Sequence, residues 1–179
     1  MNTVGTVYGQ ALYSLAKDES LSDSILQELT ILEESFQQTP DFLRLLAAPN
    51  LAVAERCEIL DTCFRGKVQP YVLNFLKLLT EKNVIRHFGA CCKSFRDQYY
   101  VDHNILPVTA VTAIPLSQEQ TNRLTDKLSA LTGKTAQINN HVDPECIGGV
   151  LLDYDGTRVD GSVANRLDSI RKLLKNAVL

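Results

Sequence analysis

Asp153, Asp155 and Asp160 lie within eight positions of one another in this 179-residue chain. Three carboxylates so close could hold a hard divalent cation, and such a cation would activate water for hydrolysis. Their spacing argues against it. They flank the turn dipeptide Asp155-Gly156, and the alternation of side chains along a strand does not bring all three together. Turn and helix-cap roles account for them better. Gly148-Gly149 could be a phosphate-cradling loop, but the Walker Lys and Ser/Thr are missing. A strand rather than a helix N-terminus is expected to follow, so close backbone packing or a bulge is the better account. His87, His103 and His141 are scattered, with no Cys, Asp or Glu at nucleophile-base or metal-ligand spacing. The five cysteines, Cys57, Cys63, Cys91, Cys92 and Cys146, are odd in number and contain no C-x-x-C. They read as reduced, buried thiols rather than a disulfide scaffold or a metal site. The expectation is therefore a chain with no catalytic residues, no metal and no cofactor.

Composition narrows the class further. A hydrophobic share of 45% supports true cores, and 22% charged residues with a net charge of −3 argue against disorder and against nucleic-acid binding. No apolar run is long enough to span a bilayer. Residues 1–16 have neither the apolar centre of a signal peptide nor the arginines of a transit peptide. They read as part of the folded protein, which is expected in the cytosol or on the cytosolic side of a membrane.

Periodicity divides the chain. Residues 1–105 read as six helices with short connections, an all-α six-helix bundle. Val4, Tyr8, Ala11, Leu12 and Leu15 mark one face of the first helix, and Ile25, Leu29, Leu32 and Phe36 one face of the second. Pro40 opens a short helix through residue 46, a fourth spans 53–64, and Pro70 opens a fifth that buries Val72, Phe75, Leu76 and Leu79. Val84, Phe88, Cys91, Phe95 and Tyr99 form the stripe of a long sixth. After residue 104 the period changes. Residues 106–113 form a β-branched strand, Ser117 caps a helix ended by Thr132-Gly133, and strands follow at 135–142, 147–152 and 157–160. Asp160-Gly161-Ser162 caps a final helix carrying Val163, Leu167, Ile170 and Leu174. Residues 106–179 are thus a small α/β (α+β) domain, barely large enough to stand alone.

Two surfaces stand out. The apolar faces of the first and fifth helices are either bundle core or a groove for a partner's amphipathic helix. The final helix gathers Arg166, Arg171, Lys172 and Lys175, which form either a solvated face or a contact for an acidic partner.

Several stretches resemble one family. Tyr8-Gly9-Gln10-Ala11-Leu12 through Ala16 is similar to the Y-A-x-A-L-x-x-x-A opening of the F-type ATP synthase delta subunits, whose mitochondrial counterpart is the oligomycin-sensitivity-conferring protein. Asn74-Phe75-Leu76-Lys77-Leu78-Leu79-Thr80-Glu81 resembles that family's N-F-L-x-L-L-x-E segment. The most specific match runs through 112–117, Val142-Asp143-Pro144, Ile147-Gly148-Gly149 and Val159-Asp160-Gly161-Ser162-Val163, with Arg166-Leu167 following. The chain departs from the pattern where Gly9 replaces an alanine, where Asn83-Val84 replaces a Gly-Arg pair, and at Ala164, where a basic residue is common.

The resemblance implies a non-catalytic stator component. Its helical domain would grip the N-terminal helices of the alpha subunits on the catalytic head. Its C-terminal domain would hold the b subunits of the peripheral stalk, so that the head does not turn with the rotor. Tyr8, Ala11, Leu12, Leu15, Asn74, Phe75 and Leu78 become the expected alpha-binding groove. Arg166, Leu167, Ile170, Arg171 and Leu174 become the expected stalk contact. No small-molecule substrate and no nucleic acid is implied, and membrane association would be peripheral, through the complex. The cytoplasmic face of a bacterial plasma membrane is expected, because no transit segment precedes the first matched helix. Two other classes remain: an unrelated helical adaptor or regulatory module, marked by different partners, and a metal-dependent hydrolase built on the three aspartates, marked by stoichiometric metal.

Overall fold

The computed structural model describes residues 3–144, 146, 148–163, 165 and 167. The chain divides into two compact units, Met1–Tyr99 and Tyr100–Leu179. Among the described residues it holds seven α-helices and one four-stranded sheet.

The helices of the first stretch are α1 (Thr3–Asp18), α2 (Ser22–Gln38), α3 (Pro40–Leu46), α4 (Val53–Phe64), α5 (Pro70–Glu81) and α6 (Phe88–Asp102). Their limits follow local chemistry. Pro40 and Pro70 sit in the first turns of α3 and α5, where a missing N–H costs nothing. The Ala52 N–H donates to Glu55 Oε2 at 3.1 Å at the start of α4. The Gln69 N–H donates to Glu28 Oε2 at 2.8 Å, which ties the start of α5 to α2. Asn83, at φ +55, turns the chain out of α5 in the left-handed region that favours Gly and, after it, Asn. The expected sixth helix does not run unbroken from residue 84: a 3-10 turn, Ile85–His87, precedes α6.

The core of this unit contains Ile25, Leu29, Leu32 and Phe36 of α2, the buried row of α5, and Phe88, Cys91, Cys92 and Phe95 of α6. Phe36 lies edge-on to Phe64 and Phe88 and stacks on Phe42, with ring centroids 5.1–6.2 Å apart. Across the helices, Arg96 Nη2 lies 2.6 Å from Glu33 Oε2, and Lys77 Nζ lies 2.8 Å from Asp61 Oδ1.

The buried face of α1 differs from the expected one. Leu12, Tyr13 and Ala16 are buried, with Gly9 and Gly5 one and two turns earlier, while Ala11 and Leu15 are exposed. The two glycines decide it. A Cβ on Gly5 would stand 2.5 Å from Ala90 Cβ, and one on Gly9 would stand 2.7 Å from Ser94 Cβ and against the Cys91 carbonyl. The backbones of α1 and α6 therefore approach more closely than any side chain would permit, and Ser94 Oγ donates to the Thr6 carbonyl at 3.2 Å.

The sheet of the second unit has the order β2-β1-β3-β4. Strands β1 (Ile105–Thr112) and β2 (Thr135–Val142) run parallel in the register Ile105↔Thr135 to Thr112↔Val142, joined by α7 (Gln118–Thr132). Strands β3 (Val150–Tyr154) and β4 (Thr157–Asp160) complete it in antiparallel fashion. The α7 limits are as the sequence indicates. Ser117 Oγ accepts from the Gln120 N–H, Gln120 Oε1 accepts from the Ser117 N–H, and Gly133 at φ +68 ends the helix. Even-numbered residues of β1 and β2 face the small core of Leu106, Val108, Ala110, Leu128, Ala136 and Leu152. The third strand begins at Val150, later than expected, because Gly149 holds φ +87 immediately before it. Ile147, and Ala164, Arg166 and residues 168–179 of the expected final helix, lie outside the described residues.

Candidate functional site

The residues first considered for chemistry have structural duties. Asp155 (φ +49) and Gly156 (φ +72) form the two-residue turn between β3 and β4, in which Tyr154 pairs with Thr157. Asp153 stands on the exposed side of β3 opposite Arg158. Asp160 Oδ1 accepts from the Ser162 N–H at 2.9 Å, and the serine's hydrogen bonds hold this carboxyl below the usual carboxylate range. Ser162 Oγ in turn accepts from the Asn165 N–H at 3.2 Å, a helix cap. No group of three metal-ligating side chains converges among the described residues.

Gly149 provides close backbone packing. A Cβ there would stand 2.5 Å from the Gly161 carbonyl oxygen and 2.8 Å from the Ser162 Cα. The Gly161 N–H donates to Val150 O at 3.0 Å, and the Val163 N–H donates to Gly148 O at 2.9 Å. The double glycine is therefore the seat for the Asp160-Gly161-Ser162 corner.

All five cysteines are free, but only Cys91 and Cys92 are buried; Cys57, Cys63 and Cys146 are half-buried, which corrects the expectation of uniformly buried thiols. Burial pushes the Cys91 thiol up to about 11 and raises that of Cys92 as well. Both therefore stay protonated and poorly nucleophilic. His103 and His141 are exposed and His87 is half-buried.

Two surfaces suit protein docking. On the first unit, Val7 (58% exposed), Ala11 and Leu15 (40%) stand at i, i+4 and i+8 along the outside of α1. Asn74 and Leu78 (39%) do the same on α5. Tyr71, in the first turn of α5, hydrogen-bonds Glu19, just beyond α1, and the negative charge of Glu19 raises the phenol above its ordinary value. This bond links the residue after α1 to the first turn of α5. Of the expected groove, Tyr8 is half-buried, whereas Leu12 and Phe75 belong to the core and can only support the surface from behind. Sequence reasoning missed Val7. The signal was available, since Val7, Ala11 and Leu15 repeat at four-residue intervals one position ahead of Leu12 and Ala16.

On the second unit, a cleft of about 650 Å³ opens between the β1–α7 connection, the double glycine and the Gly161 corner. Ile114, Leu116, Leu124, Val150 and Val163 give it an apolar lining. Ile114 is 73% exposed, and Thr112 Oγ1 fixes its segment by donating to the Ile114 carbonyl at 2.8 Å. Leu167, of the expected stalk contact, is exposed; Arg166, Ile170, Arg171 and Leu174 lie outside the described residues.

The family profile of the ATP synthase delta (OSCP) subunit matches residues 4–174. The chain belongs to this family. ATP synthase subunit delta of Desulfitobacterium hafniense strain Y51 is 33% identical over 170 residues, covering 95% of each chain. The subunit of the same name from Clostridium kluyveri is 29% identical over 167 residues, covering 93% of this chain and 92% of its own. A chain in the cryo-EM structure of the Toxoplasma gondii mitochondrial ATP synthase hexamer shares the fold. Its TM-score is 0.71 at 21% identity, with 95% of this chain and 96% of that chain covered. The family match spans both units, so the helices and the small sheet together are one delta-type architecture.

Proposed function

We propose that this chain is the stator subunit that joins the catalytic head of an F-type ATP synthase to its peripheral stalk. In this reading residues 1–105 act as a six-helix bundle that grips the N-terminal helices of the alpha subunits. Residues 106–179 hold the b subunits. The chain performs no catalysis, and it is membrane-associated only through the complex, on the cytoplasmic face of a bacterial plasma membrane. Resisting rotor torque requires two separate contacts, because each raises the effective concentration of the other.

The observation that carries the reading is the outward row Val7, Ala11 and Leu15 on α1, with Asn74 and Leu78 outward on α5, in a chain of the delta family. Exposed apolar residues at helical spacing fit the apolar stripe of a partner helix, and burial of that stripe contributes about 25 cal/mol per Å² before ordering costs. Ala11 lies at the centre of the row and is exposed, so Ala11→Arg places a charge in the contact without entering the core. Binding of this variant to purified catalytic head should weaken by more than about tenfold with the thermal midpoint unchanged. An unaltered affinity would remove this surface from consideration. Crosslinking within solubilised membranes should join residues 1–105 to alpha subunits and residues 106–179 to b subunits.

A further inference from the structure

The two outer strands of the sheet are finished differently. Strand β4 is four residues long and carries Arg158 and Asp160, which is how natural sheets discourage further pairing. Strand β2 is eight residues long, Thr-Ala-Gln-Ile-Asn-Asn-His-Val, with no Lys, Arg, Asp, Glu or Pro. Its hydrogen-bonding directions follow from the ladder. The Thr135 N–H donates to Asn104 O and the Asp143 N–H to Thr112 O, both at 2.9 Å, so odd-numbered residues bond toward β1. Even-numbered residues therefore point their N–H and C=O away from the sheet. The first of these N–H groups is covered, since Ala136 donates to Ser129 Oγ at 3.0 Å. Those of Ile138, Asn140 and Val142 have no partner among the described residues, and neither do their carbonyls. The Asn140 side chain does not obstruct them. Its amide donates to Ala110 O and Thr112 Oγ1, and its Oδ1 accepts from the Leu116 N–H, all within the unit.

We infer that the outer edge of β2 takes an extended segment of the stalk subunit as a fifth strand, bonded to Ile138, Asn140 and Val142. This inference rests on the stator reading above. The backbone geometry specifies an extended peptide, and the lack of charge on β2 means that no like-charge repulsion opposes it. Size selects the donor. Pairing along about five residues falls well short of the roughly 1,000 Å² that a stable free-standing interface buries. A second copy of this chain would not be held by the edge alone. A stalk subunit already bound elsewhere on residues 106–179 presents its segment at high effective concentration, and a short strand then suffices.

The test is residue-resolved amide exchange on the full chain, alone and with the soluble portion of the stalk b subunit. The expected result is alternation. Ile138, Asn140 and Val142 should slow by about tenfold or more on binding, while Gln137, Asn139 and His141, already bonded to β1, should not change. Simple occlusion would not produce that alternation. If the stalk binds and these three amides exchange as before, strand addition is overturned and the stator reading stands. If the stalk does not bind, the stator reading fails and this inference with it. Slowing that depends on the concentration of the chain without stalk would assign the edge to a second copy and overturn the proposal. Val142→Pro removes one outward N–H at an exposed position where proline breaks no bond to β1. It should weaken stalk binding several-fold with the thermal midpoint retained, and undiminished binding by a folded variant would overturn the proposal. The exchange pattern of the unaltered chain decides the matter independently of that variant.

Discussion

At the scale of single residues, the most consequential side chain in the helical unit is Arg56, a charge only 3% exposed. Its Nη1 donates to the Leu46 carbonyl at 3.0 Å and to Asn83 Oδ1 at 2.9 Å, so one guanidinium ties the end of α3 to the turn after α5. Its Nε is buried without a partner among the described atoms, which makes the remaining two bonds more important. Arg56→Ala should destabilise the first unit by about 3 kcal/mol, combining a cavity with orphaned acceptors, as read from urea unfolding. Asn83 carries two duties, a left-handed backbone and an acceptor for Arg56. Asn83→Gly keeps the first and loses the second; Asn83→Ala loses both and should cost about 1 kcal/mol more. The sequence displayed Asn83 only as a departure from a Gly-Arg pair. Its backbone requirement was thus legible by comparison, whereas its bond to Arg56, 27 positions away, was not.

At the scale of elements, the α1–α6 crossing reverses a rule of propensity. On helix propensity alone, Gly9→Ala should stabilise α1 by about 1 kcal/mol. The added Cβ would meet the Cys91 carbonyl and Ser94 Cβ, backbone and a short side chain that cannot swing away. The expected result is a net loss of about 1–3 kcal/mol on thermal or urea unfolding. This is also where sequence reasoning fell short. Pro40, Pro70, Ser117, Gly133 and Asp155-Gly156 are local signals, and the elements they bound were legible from them. The buried face of α1 is set by the partner helix, so the pattern placed Ala11 and Leu15 on one face with Leu12, and Gly9 stood out only as a departure from an alanine. The same limit affected the start of β3, which depends on Gly149 accommodating the Gly161 carbonyl, twelve residues on. The corner beyond β4 should respond to pH. The Asp160 carboxyl is held low by the hydroxyl and N–H of Ser162. A carboxyl whose folded-state value is depressed stabilises above its unfolded value and loses that stabilisation as pH falls through the folded one. The midpoint gap between the native chain and Asp160→Asn should therefore be full near neutrality and close on acidification below about pH 5.

At the scale of the whole molecule, the two units are unequal in what holds them. The helical unit joins residues from all of α1–α6 in one buried cluster with a packed aromatic group. The described core of the second unit has six buried side chains, two of them alanines, under a single helix. Hydrophobic stabilisation scales with the apolar area removed from water, so on its described residues the second unit has the smaller margin. Its apolar cleft and the outer edge of β2 are surface that a partner would cover. A stator subunit can tolerate this imbalance, because a ligand that binds only the folded form adds RT ln(1 + [L]/Kd) to stability. Methyl groups of Leu76 and Leu79 report on the first unit, and those of Val108 and Leu152 on the second, as urea is raised. The second pair should report unfolding at lower urea. Stalk subunit at a hundred times its Kd should raise that transition by about 2.7 kcal/mol and leave the first unmoved, whereas catalytic head should do the reverse. Coincident transitions in the free chain would show one cooperative body instead. In that case a single ligand would stabilise all four methyl probes together, and the separation of head and stalk contacts onto independent units would fail.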